Sequence, residues 1–234
     1  MTNSRFMRHA YISPHALTIA DMPPNPDRMD ALIKRLLDVA VALGLLALLS
    51  PLLLTVALLV RARLGAPIFF RQTRIGKGGQ PFQLIKFRTM TDARGADGQL
   101  LDDAVRLTEF GKFLRETSID ELPELWNILT GNMSLVGPRP LLPEYLPYYS
   151  AREKLRHTVR PGITGLAQVS GRNALGWDAR LEMDAQYVER FSFLRDLAIL
   201  WKTAAVVLKR DGISAEGQAT MGRLDVERAS KGTR

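Results

Sequence analysis

Two adjacent carboxylates, Asp120 and Glu121, stand inside Thr117-Ser118-Ile119-Asp120-Glu121-Leu122-Pro123. One carboxylate can attack an electrophilic phosphorus while its neighbour holds a hard divalent ion. A simpler explanation is helix capping. Ser118-x-x-Glu121 has the spacing of a capping box, and acids suit a helix N-terminus. Pro123 would fall beyond the first turn of a helix begun at Ser118, so a cap at Asp120 suits the sequence better. Either start predicts an ionised carboxylate beside backbone N–H groups that also favour an incoming phosphate. Arg139 lies between Pro138 and Pro140, so its backbone is restrained and its guanidinium can be aimed at a phosphate. On spacing alone, a surface salt bridge on a rigid loop is the preferred reading of that arginine.

Other chemistries are thinly represented. The chain has no cysteine, which excludes disulfides, thiolate metal sites and a thiol nucleophile. His9, His15 and His157 show no metal-ligand spacing, and His157 reads as structural. Gly76-Lys77-Gly78-Gly79 lacks the GxxxxGK[ST] spacing of a phosphate-binding loop. No nucleophilic serine and no dinucleotide fingerprint stands out.

The elements that must position these residues follow from pattern. Pro67–Gln72 and Pro81–Arg88 read as strands joined by the glycine turn, and the two-residue strand period puts Lys86 and Arg88 on one face. Helices are expected near 104–116 and 121–130. Pro161-Gly162 fits the centre of a type II turn. Leu194, Leu197, Trp201, Ala204 and Leu208 recur at helical spacing with Lys202, Lys209 and Arg210 nearby. That helix suits an interface plane, and an ordinary amphipathic core helix fits the same period. The expected organisation is a tail over 1–30, a membrane segment over 31–61, a catalytic domain over 62–210 and a second tail over 211–234.

Charge is distributed unevenly. The net charge of +8 implies an anionic partner. Val39 to Val60 is free of charge for 22 residues, and the next stretch, Arg61 to Arg88, carries seven basic residues and no acid. A basic run beside a lipid-compatible segment fits anionic head groups and phosphates better than nucleic acid, and aromatic residues are only 7%, leaving few stacking platforms. As one straight helix the uncharged run would rise about 33 Å, enough to cross a bilayer. Ser50-Pro51 interrupts it: Pro51 lacks an N–H and crowds the carbonyl of Ala47, while the Ser50 hydroxyl can help satisfy local backbone groups. A kinked span and a re-entrant hairpin both fit. Lys34 and Arg35 at one end and Arg61 and Arg63 at the other would stay on one side only in the hairpin.

From about Lys34 to Gly222 the chain resembles the bacterial sugar transferases, the monotopic polyprenyl-phosphate phosphoglycosyl transferases. The likeness rests on Lys34-Arg35-Leu36-Leu37-Asp38, Ser50-Pro51, Phe69-Phe70-Arg71-Gln72, Lys86-Phe87-Arg88-Thr89-Met90 and Ser118-Ile119-Asp120-Glu121-Leu122-Pro123. It continues through Asn127-Ile128-Leu129, Gly131 to Pro140 and Arg160-Pro161-Gly162-Ile163-Thr164-Gly165. Gln168 to Asn173 and Gly212 to Gly217 look most like small members that start glycan assembly with a bacillosamine-type sugar.

The resemblance implies an α+β fold, mostly helical with a small β-hairpin, a re-entrant membrane helix broken at Ser50-Pro51, and interfacial amphipathic helices. It implies a nucleophile at Asp120 and Mg2+ at Glu121 with Asp120. Substrate-binding positions would fall on Lys86, Arg88, Arg139, Glu144, Arg172 and Asp196. The implied partners are a UDP-sugar, undecaprenyl phosphate and membrane phospholipids, with no nucleic acid and a homo-oligomer left open. The implied place is the cytoplasmic face of the bacterial inner membrane. Two rivals stand beside this reading: a membrane-anchored scaffold without turnover, and a basic nucleic-acid-binding protein.

Overall fold

Helix α1 (Arg28–Leu48) and helix α2 (Ser50–Leu64) meet at Ser50-Pro51 with a 64° bend. Pro51 sits in the first turn of α2, where its missing N–H costs nothing. The Ser50 hydroxyl donates to the carbonyl of Ala47 at 2.8 Å, replacing the helical bond the proline removes. Among the described residues no single helix is long and apolar enough to cross a membrane, but this bent pair is so by length and composition together. The computed structural model describes residues 28–171, 175–209 and 222–231.

Strands β1 (Phe69–Ile75) and β2 (Pro81–Phe87) pair antiparallel from Phe69 opposite Phe87 to Ile75 opposite Pro81. The turn between them needs glycine at Gly78 and Gly79, whose φ values are 67° and 73°. After the hairpin come α3 (Asp103–Arg106), α4 (Glu109–Glu116), a 3-10 turn over Ile119–Glu121 and α5 (Glu124–Leu129). The helix expected near 104–116 is thus two pieces, because Thr108 caps α4 by accepting from the Gly111 N–H at 3.0 Å. Gly111 has no alternative there: a Cβ would lie 1.8 Å from the Thr89 carbonyl oxygen.

Strand β3 (Ser134–Val136), α6 (Ala151–Lys154), β4 (Gly162–Thr164), α7 (Leu166–Ser170), α8 (Trp177–Glu189), α9 (Phe193–Lys209) and α10 (Leu224–Lys231) complete the described chain. Strands β3 and β4 run parallel, with Ser134 opposite Gly162. The type II turn expected at Pro161-Gly162 is not formed, since Gly162 lies in β4 and does not take the positive φ such a turn needs. The strand wins because the Gly162 N–H donates to Pro138 at 3.0 Å and its backbone lies against Gly137.

Both membrane-candidate helices dock on one body. On α1, Arg35 donates to the carbonyls of Ile128 and Leu129 at the end of α5, at 2.7 and 2.9 Å. Buried Asp38 accepts from the Leu135 N–H at 3.0 Å. Ala42, Leu45 and Leu46 join the main apolar core with Leu125, Ile128, Leu135, Tyr187 and Ile199. On α2, Val56 and Val60 pack against Phe87 and Leu114. The opposite faces are apolar and uncovered, Leu48 being 74% exposed. Helix α9 repeats this arrangement, with Ile199 buried and Leu194, Leu197 and Trp201 exposed.

The fold is α+β, mostly helical with small sheets, as expected. Helix α1 starts at Arg28, inside the stretch read as an N-terminal tail. At the other end α10 is docked: Leu224 is buried, Arg228 pairs with Glu153 at 2.5 Å, and Trp177 donates to the Gly222 carbonyl at 2.9 Å.

Candidate active site

The expected helix cap around Asp120 does not form. Ser118 adopts a left-handed conformation, φ 55°, and makes no side-chain cap. Asp120 and Glu121 lie in the 3-10 turn, and Pro123 immediately precedes α5. Pro123 has no N–H to continue a helix running in from Ser118, so the tighter turn absorbs the break. Non-glycine residues held in the left-handed region cluster at functional sites.

Two other segments bring cations to this turn. Lys86, on β2, places its Nζ 2.5 Å from Glu121 Oε1 and 3.2 Å from Glu124 Oε1. Strand β2 is held there by Asn127 of α5, whose amide accepts from the Ile85 N–H at 3.1 Å and donates to the Gln83 carbonyl at 2.7 Å. Arg139 Nη2 donates to Glu121 Oε1 at 2.7 Å. Its loop is gripped from behind by Arg156, which donates to the Arg139 carbonyl at 2.6 Å. Arg156 is itself buried and ion-paired with Asp184 of α8 at 2.9 Å.

These contacts sort the three carboxyls. Burial alone would raise Glu121, but Arg139 and Lys86 outweigh it and hold its carboxyl well below the usual range. Burial pushes Asp120 up to about 6 against the pull of Lys86, with the Glu121 charge adding to the rise. Burial pushes Glu124 up to about 7, again only partly offset by Lys86. The expectation that a helix start keeps Asp120 readily ionised is therefore corrected: the turn offers no α-helix terminus, and desolvation dominates. The arrangement is one locked carboxylate beside two acids that titrate near neutrality. A carboxylate with a raised pKa is the better nucleophile once ionised.

A cavity of about 460 Å³ opens beside the turn. Ser118, Glu121, Arg115, Arg139, Arg156 and Arg180 line one part of it. Guanidinium groups facing one space suit a phosphorylated ligand.

The sequence-predicted residues divide. Asp120, Glu121, Lys86 and Arg139 come together. Arg88 is buried elsewhere, donating to the Ala66 carbonyl and to Asp92 at 3.0 and 2.9 Å. Glu144 is exposed on the 3-10 turn Pro143–Tyr148, where its charge acts on Arg74 and Arg223. Asp196 is buried in an ion pair with Lys34 and accepts from the Tyr187 hydroxyl at 2.8 Å, so it ties α1 to α9. Arg172 lies outside the described residues. Sequence reasoning missed Glu124, although it stands three residues past Glu121, and missed Arg156 and Asp184, which carry no motif.

Asp120 and Glu121 offer only oxygen donors, as Mg2+ prefers, and that ion is commonly held by one or two carboxylates plus substrate phosphates. Among the described residues no cluster of three acidic or histidine side chains is arranged as a metal cage. The residues present are compatible with Mg2+ completed by a phosphorylated substrate and water, Glu121 and Asp120 being the carboxylates that would hold it.

Residues 29–210 match the family model described as bacterial sugar transferase. The chain is similar to an uncharacterised sugar transferase, EpsL, of Bacillus subtilis (strain 168), 50% identical over 193 residues that cover 82% of this chain and 96% of that one. It is similar to a UDP-glucose:undecaprenyl-phosphate glucose-1-phosphate transferase of Caulobacter vibrioides, 43% identical over 85% of this chain and 78% of the other. A UDP-galactose-lipid carrier transferase of Erwinia amylovora is 40% identical over 87% of this chain, which spans only 46% of that relative. With its paired acids, converging cations and bent apolar helices, and with the family model covering most of its length, this chain belongs to the bacterial sugar transferases and is a transferase enzyme.

Proposed function

We propose that the enzyme transfers a sugar 1-phosphate from a UDP-sugar to undecaprenyl phosphate in two steps through Asp120. The supporting observation is the buried Asp120 carboxyl beside a carboxylate locked by Lys86 and Arg139 and a cation-lined cavity, on a body that also holds an apolar helix pair. The Asp120 carboxylate attacks the phosphorus that bears the sugar. A P–O bond forms to Asp120, the P–O bond to the bridging oxygen breaks, and UMP leaves. A lipid phosphate oxygen then attacks the same phosphorus and releases Asp120. Lys86 and Arg139 hold Glu121 in place and lower the negative potential the diphosphate meets. When bound by Glu121 and Asp120, Mg2+ would neutralise phosphate charge. On this reading the body works at the cytoplasmic face of the bacterial inner membrane, at the first membrane step of glycan assembly.

The donor sugar has two readings. Gln168 to Asn173 and Gly212 to Gly217 favour an N-acetylated, bacillosamine-like sugar, although Arg172, Asn173 and 212–217 lie outside the described residues. The names of the Caulobacter and Erwinia relatives favour glucose or galactose. A UDP-sugar panel scored by UMP release decides between them.

The mechanism is tested without lipid. Enzyme and UDP-sugar alone should release UMP stoichiometrically, and a rapid quench should find one sugar-phosphate mass on the protein. Asp120→Asn should lose both signals yet still bind nucleotide-sugar. Wild-type-like turnover by a folded Asp120→Asn protein would show that the acceptor attacks directly.

A further inference from the structure

The cavity beside Glu121 has a second kind of wall. Leu45 of α1 and Leu200 and Val206 of α9 line it opposite in character to the arginines. Leu45 and Leu200 both pack against the main apolar core, and both line this cavity. Leu45 lies eleven residues past Lys34, about 16 Å further along α1 at the helical rise. Lys34 is at the polar level, paired with Asp196, whereas Leu45 is inside the charge-free run and four residues short of the break at Leu49. The cavity therefore reaches from the ionised turn to a depth where α1 is wholly apolar.

Helix α9 is apolar on two sides. Leu200 and Val206 face the cavity, while Leu194 and Trp201 are exposed away from it. A nucleotide or a sugar, polar around most of its surface, gains little from such a wall. A chain of hydrocarbon attached directly to a phosphate matches both walls at once. A cavity of about 460 Å³ holds a ligand of ordinary small-molecule size, so it accepts a phosphate and the adjoining few units of a long lipid.

We propose that Leu45, Leu200 and Val206 form the subsite for the isoprene units next to the acceptor's phosphate, and that the acceptor enters between α1 and α9. This rests on the reading of the enzyme as a prenyl-phosphate acceptor transferase. In two-step transfer the donor's nucleotide has left before the acceptor reacts, so one cavity serves both substrates in turn.

The half-reactions separate the two claims. Val206→Trp fills the apolar wall and should impair transfer to lipid far more than it impairs UMP release without lipid. It should raise KM for undecaprenyl phosphate about tenfold. Wild-type protein carrying no UMP release at all would defeat the underlying transfer reading instead. A second measurement needs no variant: a prenyl phosphate with a diazirine in its first isoprene units is photolysed on the wild-type enzyme in vesicles. Labelling at Leu200 and Val206 themselves, suppressed by excess undecaprenyl phosphate, is the expected result. Labelling confined to Leu194 and Trp201 would overturn the subsite. So would labelling of Leu200 and Val206 by a photoreactive phospholipid that undecaprenyl phosphate does not displace. An unchanged KM in a folded Val206→Trp protein would also overturn it.

Discussion

Glu121 and Glu124 differ in what their surroundings do to the same side chain. Glu121 has two cations within 2.7 Å and is held ionised. Glu124 shares one of them at 3.2 Å and is almost fully buried, so burial pushes it up to about 7. A carboxyl whose folded pKa lies above its ordinary value of 4.5 keeps a proton that the unfolded chain has already lost. Raising the pH from about 4.5 through 7 therefore costs folded-state stability at this residue. Glu124→Gln removes that dependence. Thermal unfolding of both proteins in chelator and detergent should show the variant gaining on wild type as pH rises from about 5 to about 8. A difference that stays flat, or falls, would mean that Lys86 compensates the buried charge in full. Asp120 and Glu121 were legible because they are adjacent and precede a proline. Glu124 was not, since a single glutamate on a helix is ordinarily a solvated one, and only the approach of β2 makes it otherwise.

Local pattern revealed the hairpin and the break at Ser50-Pro51, and it put Leu194, Leu197 and Trp201 on one face of α9 without deciding between an interface and a core; each depends on neighbours a few residues apart. It failed where distant segments compete. Arg88 shares a strand period with Lys86, yet past the end of β2 the chain turns and its guanidinium goes to Ala66 and Asp92. Arg156 and Asp184 are 28 residues apart in sequence and carry no spacing signal. Their ion pair nevertheless joins α8 to the Arg139 loop. Breaking a buried pair from one side leaves an uncompensated charge, at about 3–5 kcal/mol. At about 2–4 °C per kcal/mol for a chain of this size, Asp184→Asn should lower Tm by ~10 °C. It should also slow UMP release, because Arg139 loses its support. Arg152→Ala breaks two exposed ion pairs, to Glu182 and Glu189, and should leave Tm unchanged. Equal losses in the two variants would show that the buried pair does not anchor the loop.

At the scale of the whole molecule the open question from sequence was whether α1 and α2 cross the membrane or return. Length does not decide it. With the 64° bend shared equally about the membrane normal, the charge-free run spans about 28 Å, close to a hydrocarbon core of ~30 Å. Laid as a shallow V, the same bend carries the apex only about 9 Å deep. Packing supports the returning arrangement, which we propose, and no sequence pattern contains it. At the far end of one arm, Lys34 and Arg35 bind Asp196 and the end of α5. At the far end of the other, Val60 and Leu64 pack with Phe87 and Leu114. Both ends thus touch one body, and that body carries the buried ion pairs and the cation-lined cavity, which belong at the water side. A crossing helix would leave one end across the bilayer from its own packing partners. The native chain has no cysteine, so single cysteines report without background. Ala31→Cys and Ala62→Cys, both at exposed positions, should react with an impermeant thiol reagent from the same, cytoplasmic side of oriented vesicles. Leu48→Cys, at the exposed apolar apex, should be shielded by lipid from both sides until detergent is added. Reaction of residues 31 and 62 from opposite sides would establish a crossing helix and separate α2 from the face proposed here for the enzyme.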